Sequence, residues 1–100
     1  MFNLTDYIPQ QELNKFCRKH HITRMSLFGS ALRDELKLDS DIDLLVEFDK
    51  NHIPGLLELA GMEIEMSEMI GRKIDLRTPA ELSRYFRDDV LKNARVEYAI

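Results

Sequence analysis

The fold of this chain is decided by residues 27–48, LFGSALRDELKLDSDIDLLVEF. The segment contains two short motifs, Gly29-Ser30 and Asp41-x-Asp43, which are separated by ten residues. The alternation that begins at the aspartates predicts a strand with both carboxylates on one face and a row of apolar side chains on the other. Two carboxylates on one strand face repel each other, but they are the ligands that a divalent cation prefers.

Length and composition predict one small domain. Of the 100 residues, 44% are apolar, which allows one hydrophobic core, and we expect a single domain over residues 1–100. No apolar run approaches the roughly 18 residues of a membrane span, and the N-terminus lacks a secretory pattern, so we expect a cytoplasmic protein with no membrane partner. A net charge of −4 argues against direct nucleic-acid binding. The single cysteine, Cys17, predicts no internal disulfide, and its position near Phe16 favours a core residue.

Apolar periodicity predicts strands interleaved with helices. Helical spacing is found over 9–20 and 56–70, and alternation over 24–28, 41–48 and 73–77. Ser30 is suited to cap a helix over 31–37, and residues 96–100 are either a short strand or a tail. The pattern predicts an α/β (α+β) fold in which a small mixed sheet of three to four strands is flanked by helices.

Two of the predicted helices have more specific signals. Residues 78–81, TPAE, have the form of a capping box with proline at the first helical position, which predicts a helix with Leu82, Tyr85 and Phe86 on its apolar face. The helix over 56–70 has an unusually wide apolar arc, which predicts contact with both the sheet and another surface. Its two apolar stripes are Leu59, Met62, Met66 and Met69, and Leu57, Ala60 and Ile64. We favour core packing for the methionine stripe over a partner surface.

Gly29 and Ser30 lie between a predicted strand and a predicted helix. Glycine lets an oxygen atom approach the backbone, the hydroxyl and the free N–H groups of the helix donate to it, and the helix dipole favours its negative charge. This is the arrangement of a phosphate-binding turn. Arg33 lies one turn further on, where it is equally well explained as a contact to a departing pyrophosphate or as a surface arginine.

Asp75 adds a third carboxylate. If the strands over 41–48 and 73–77 are neighbours, Asp75 lies beside Asp41 and Asp43 on one face. Side chains leaning together there can hold two Mg²⁺ ions at the ~3.5–4 Å spacing of paired catalytic metals. Phosphoryl transfer needs little more than positioning and charge neutralisation. The three aspartates are therefore the predicted catalytic and metal-binding residues, with Asp75 as a ligand or a base on the acceptor side.

At these positions the chain resembles the nucleotidyltransferase superfamily that includes the polymerase-beta palm, and within it the minimal nucleotidyltransferase (MNT) domain proteins. The resemblance covers nearly the whole chain and rests on LFGSALR at 27–33, SDIDLLV at 40–46, GRK at 71–73 and IDL at 74–76. The family's motif residues are all present, as Gly29, Ser30, Asp41, Asp43 and Asp75. The resemblance therefore implies a palm-like fold and an active enzyme.

The same resemblance implies a biological role. MNT proteins are antitoxins, usually paired with a HEPN-domain ribonuclease toxin, which is silenced by transfer of AMP from ATP to a tyrosine. Because the motif-bearing core occupies the chain, we expect the acceptor to lie on another protein. This favours a hetero-oligomer with a HEPN-type toxin, with ATP as substrate and two Mg²⁺ ions as cofactors.

Two other readings stay open. The chain either neutralises a toxin by stoichiometric contact alone, through its Met-rich helix or its basic C-terminal third, or transfers a nucleotide to a small molecule or to RNA. The charge distribution is relevant to neutralisation by contact, because the C-terminal third is basic and could bind a partner. Residues 72–95 hold seven bases and four acids, whereas residues 39–68 hold nine acids and one base.

Overall fold

Four strands form one mixed sheet in the computed structural model, which describes residues 2–29, 32 and 40–100. The strands are β1 (Ile22–Phe28), β2 (Ile42–Phe48), β3 (Ile74–Arg77) and β4 (Arg95–Ala99). They lie in the order β3-β2-β1-β4, with β1 antiparallel to β2 and β4, and β2 parallel to β3. The predicted mixed sheet is thereby confirmed.

Within the described ranges, three helices accompany the sheet. They are α1 (Gln10–Lys19), α2 (Leu56–Ile70) and α3 (Arg87–Asn93), with short 3₁₀ helices at Leu4–Asp6 and Pro79–Glu81. The helices predicted over 9–20 and 56–70 are confirmed to within one residue at each end. The helix predicted over 31–37 lies outside the described residues. No helix in the described part of the chain has the length and apolarity needed to cross a bilayer.

The two faces of β2 have different surroundings. Ile42, Leu44 and Val46 are fully buried in the core, together with apolar side chains from α1 and α2. Asp43 lies on the opposite face, as the alternation predicts. The helices α1 and α2 therefore pack on one side of the sheet, and the aspartate lies on the other.

Cys17 belongs to this core. It is fully buried, and burial raises the pKa of its thiol to about 12, although the nearby Arg18 lowers it slightly. A thiol with so high a pKa stays protonated at neutral pH and is a poor nucleophile. The prediction that Cys17 is a core residue is confirmed.

The helix predicted from the TPAE capping box is wrong beyond its first turn. The box itself forms, since Oε1 of Glu81 accepts the backbone N–H of Thr78 at 3.1 Å. Leu82 then takes an extended conformation with ψ 144°, and the turn ends there. Tyr85 and Phe86 are 85% and 52% exposed. Because a short helix depends on burying an apolar face, a cap without that burial yields a single 3₁₀ turn.

The wide apolar arc of α2 divides into a buried and an exposed part. Met62 and Met66 are buried in the core, so the methionine stripe packs there as predicted, although Met69 is 37% exposed. Leu57 and Ile64, on the second stripe, are 90% and 61% exposed. The sheet therefore covers only one side of α2.

The outer edge of β3 is closed by side chains of α2. The N–H groups of Ile74 and Leu76 donate to Oγ of Ser67 and to Oε2 of Glu63, each at 2.9 Å. Oγ of Ser67 in turn donates to the carbonyl of Glu63 at 2.7 Å. Unpaired edge groups are a template for aggregation, and these contacts satisfy them within the chain.

We expect Ser67→Ala to lower the free energy of unfolding by about 1–2 kcal/mol, because the part-buried N–H of Ile74 loses its acceptor. Urea denaturation measures this difference. Glu68→Ala, one residue further on the exposed side of α2, is the matched control and should change stability by only a few tenths of a kcal/mol. Equal effects of the two substitutions would contradict this account of the edge.

Candidate functional site

The register of two parallel strands brings two aspartates together. Asp43 on β2 is the direct partner of Asp75 on β3. Neighbouring strands are about 4.8 Å apart, so both side chains leave the same face of the sheet side by side. Like charges directly opposite each other on neighbouring strands repel, so this pair lowers the stability of the fold unless another charge compensates it.

Arg77 offsets part of that cost. It lies two residues beyond Asp75 on the same face of β3, and its Nε contacts Oδ1 of Asp75 at 3.2 Å while a terminal nitrogen donates to Oδ2 at 3.2 Å. The hydrogen bond and the charge of Asp75 raise the pKa of Arg77. The carboxylate of Asp75 is still 27% exposed, so it is accessible from the solvent side.

Asp41 lies immediately before β2, at the end of the sheet where the pair is found. Its Oδ2 is 3.7 Å from Nζ of Lys73, and its side chain is 40% exposed. The chain is fixed at this point by two hydrogen bonds, from Arg72 to the carbonyl of Ser40 and from the N–H of Ile42 to the carbonyl of Lys73, each at 2.9 Å. The loop before β3 therefore fixes the backbone on both sides of Asp41, two residues before Asp43 along the chain.

Gly29 closes the site from the side of β1. It has φ +76°, a conformation that favours glycine, and a Cβ built on it would overlap Oδ2 of Asp43. Phe28, the residue before it, is the antiparallel partner of Asp43. Position 29 must therefore be glycine for two reasons, backbone conformation and the close approach of the carboxylate.

The structure brings together three of the six predicted site residues, Gly29, Asp43 and Asp75, with Asp41 at the end of the same strand. Ser30 and Arg33 lie outside the described residues. In the described ranges, no three His, Cys, Asp or Glu side chains form a ready-made metal cluster. Instead, Asp41 and Asp75 each contact a base, Lys73 and Arg77.

An apolar hollow beside Gly29 was not predicted from the sequence. It has a volume of about 510 Å³ and is lined by Phe28, Gly29, Leu32, Phe86, Asp89, Val90 and Asn93. No pattern in the sequence indicated it, because the periodicity places Phe86 on the apolar face of a helix that does not form.

Substitutions at two glycines separate the two constraints on position 29. Gly71 has φ +77° and open space around a built Cβ, so Gly71→Ala should cost only the conformational penalty, about 1–2 kcal/mol. Gly29→Ala pays the same penalty and also displaces Asp43, so we expect it to be the more destabilising of the two. Urea denaturation compares them, and a smaller loss for Gly29→Ala would contradict the close approach.

The chain matches a known family over most of its length. Residues 10–97 match the nucleotidyltransferase domain family. The chain is 38% identical over 76 residues to MJ0435 of Methanocaldococcus jannaschii, which is provisionally named a protein adenylyltransferase, and the match covers 76% of this chain and 80% of that one. It is 34% identical over 71 residues to the protein adenylyltransferase MntA of Thermococcus cleftensis, covering 71% and 70% of the two chains.

Solved structures show the same fold. One, described provisionally as a minimal nucleotidyltransferase, superposes with a TM-score of 0.74 at 30% identity and covers 93% of this chain and 94% of that one. Another, a toxin–antitoxin complex with AMP-PNP, gives a TM-score of 0.75 at 16% identity, with 93% and 75% covered. The resemblance to the MNT group is confirmed, and the chain belongs to the nucleotidyltransferase domain family.

Proposed function

We propose that this chain is an antitoxin that transfers AMP from ATP to a tyrosine of a HEPN-type ribonuclease toxin and thereby silences it. The observation that carries the proposal is the β2–β3 register, which sets Asp43 beside Asp75 while Gly29 approaches the Asp43 carboxylate. Two adjacent carboxylates and a glycine that leaves the backbone open are suited to bind a metal-bound triphosphate.

The relatives support the choice of acceptor. Both curated relatives are named, one of them provisionally, as protein adenylyltransferases. A structure with 15% identity and a TM-score of 0.66 is described as a tri-AMPylated HEPN toxin in complex with an MNT antitoxin, and it covers 91% of this chain and 70% of that one. These names favour a protein acceptor over a small molecule or RNA.

The residues present fit a divalent cation. The donors are carboxylate oxygens, which are the hard ligands that Mg²⁺ prefers, and a side chain at position 29 would fill the space next to Asp43. Asp41, Asp43 and Asp75 would hold two Mg²⁺ ions, which supply positive charge to the triphosphate when bound. Lys73 and Arg77 now neutralise two of these carboxylates, so a bound cation competes with them.

The remaining roles follow from the chemistry of AMP transfer. The tyrosine oxygen bonds to the α-phosphorus of ATP, the bond to pyrophosphate breaks, and the tyrosine loses its proton. Gly29 and Ser30 hold the phosphates, and Arg33 contacts the departing pyrophosphate. Asp75 lies on the acceptor side, either as a ligand or as the base that receives the proton.

We expect Asp43→Asn to abolish the modification. The test mixes the chain with Mg²⁺, ATP and a HEPN-type toxin, and mass spectrometry reads the addition of AMP units to that protein. Removal of one catalytic carboxylate should slow transfer at least ~100-fold. Asp49→Asn is the matched control, because Asp49 follows the far end of the same strand. An Asp43→Asn variant that modifies the toxin at the wild-type rate would contradict the assignment.

Neutralisation by contact alone is the second candidate function, and the exposed apolar side of α2 is the observation that favours it. The same variant separates the two candidates in cells that express the toxin. If AMP transfer is required, Asp43→Asn leaves the cells unprotected at wild-type antitoxin levels. Full protection by Asp43→Asn would instead establish contact alone as the mechanism.

A further inference from the structure

The outward side of α2 is apolar from Leu57 to Ile64. At 100° per residue, Leu57 lies directly opposite the buried Met66, and Ile64 lies within 20° of that opposite side. Both are largely exposed, and the exposed Ile53 and Leu56 extend the apolar area at the start of the helix. We define the outer α2 face as Leu57, Ala60, Gly61 and Ile64.

Such a helix is unusual at a protein surface. An amphipathic helix on a sheet normally directs polar side chains to solvent, and a contiguous apolar patch at a surface marks a site of contact. The contrast with α1 is clear, because α1 buries Leu13, Phe16 and Cys17 and exposes charged or polar residues elsewhere. Burial within the described chain therefore does not explain the composition of α2.

The middle of the outer α2 face is built from small residues. Glycine is disfavoured in a helix interior, so Gly61 calls for a reason. A Cβ built on Gly61 meets nothing within 4 Å, so no contact inside the described part of the chain requires glycine there. Ala60 beside it is also exposed. Small residues between two larger aliphatic ones let a second helix approach closely, at the 8–10 Å distance of packed helices.

The charges around this face select the partner. The helix has four glutamates and no base. Glu63 accepts the N–H of Leu76, and Glu65 contacts Lys19 and His20 at 3.0 and 3.1 Å. These hydrogen bonds lower the pKa of Glu65 against the opposing effect of its burial. The exposed Glu68 lies on the outward side one turn beyond Ile64 and ends the outer α2 face, and the exposed Glu58 flanks Leu57, so both are available to a basic partner.

A second copy of the chain fits this face poorly. In an antiparallel pair centred between Ala60 and Gly61, Leu57 of one copy meets Ile64 of the other, but Glu68 meets Ile53. No lysine or arginine on α2 answers the glutamates of the other copy. A foreign helix with bases at its borders avoids both mismatches.

We propose that the outer α2 face binds an amphipathic helix of the partner protein, whose aliphatic ridge packs over Ala60 and Gly61 and whose flanking lysines or arginines pair with Glu58 and Glu68. The inference rests on the proposed function for the partner's identity, a HEPN-type toxin. The helix α2 packs on the side of the sheet opposite Asp43, so this contact leaves the candidate site open, and the acceptor tyrosine comes from another part of the partner.

The test measures binding to the HEPN-type toxin of the proposed function, by calorimetry at two salt concentrations. The variant is Leu57→Gln/Ile64→Gln, and the matched control is Val96→Gln/Ile100→Gln, which places the same change on β4 and the C-terminal residue, where the side chains are 48% and 87% exposed. Thermal melts establish that both variants fold. We expect the α2 variant to raise Kd by about 10-fold or more and the control to leave it unchanged.

A charge variant tests the flanking residues. Glu58→Lys/Glu68→Lys should weaken binding most at low salt, because the attraction to lysines or arginines becomes a repulsion. Wild-type affinity in Leu57→Gln/Ile64→Gln would overturn the inference. A dimer of the chain alone that the same variant dissolves would also overturn it, since a second copy would then occupy the face.

AMP transfer in the same mixtures separates this inference from the proposed function. If the wild type modifies the toxin and the α2 variant does so with unchanged KM, the inference fails and the proposed function stands. If the wild type binds through Leu57 and Ile64 without any AMP transfer, the proposed function fails and the inference stands. An increase in KM at unchanged kcat in the α2 variant supports both.

Discussion

The site depends on the parallel pairing of β2 with β3. This pairing sets Asp43 directly opposite Asp75, and a shift by one residue would place Asp43 beside an apolar side chain that belongs to the core. The register is fixed because Ile42 and Leu44 must meet Ile74 and Leu76 on the buried face. Hydrophobic burial on one face of the sheet therefore holds two like charges together on the other.

The sheet separates two tasks. One face carries α1 and α2 and contains the core, whereas the other carries the carboxylates and the bases that partly neutralise them. Burial by α1 stabilises the strands without involving any site residue. Because α2 covers β3 only with one side, its opposite side is available for contact at a distance from the chemistry. Under the proposed function, catalysis and partner binding can then change independently.

Much of this site could be predicted from the sequence, for physical reasons. The period of two over residues 41–48 determines which side chains of β2 share a face, and it places Asp43 opposite the buried row. Gly29 was predicted from its position at a strand end, and its positive φ agrees with that. Whether β2 and β3 are neighbours could not be determined from the sequence, because strand order depends on packing between distant segments.

Other features could not be predicted. The TPAE box signals a helix start, but it does not reveal that Tyr85 and Phe86 lack a surface to pack on. The pairing of Asp75 with Arg77 requires two side chains on one strand face to turn toward each other, which alternation allows but does not demand. The exposed stripe of α2 was visible as a wide apolar arc, yet only the positions of the strands show which part of it is covered.

The most direct test of the central claim is a crystal structure of the complex with Mn²⁺ and AMP-PNP, with anomalous scattering used to locate the manganese. The account predicts manganese against the carboxylates of Asp41 and Asp43, with the phosphates of the nucleotide at the backbone of Gly29. Manganese and nucleotide bound together at another surface, away from Asp43 and Gly29, would contradict it.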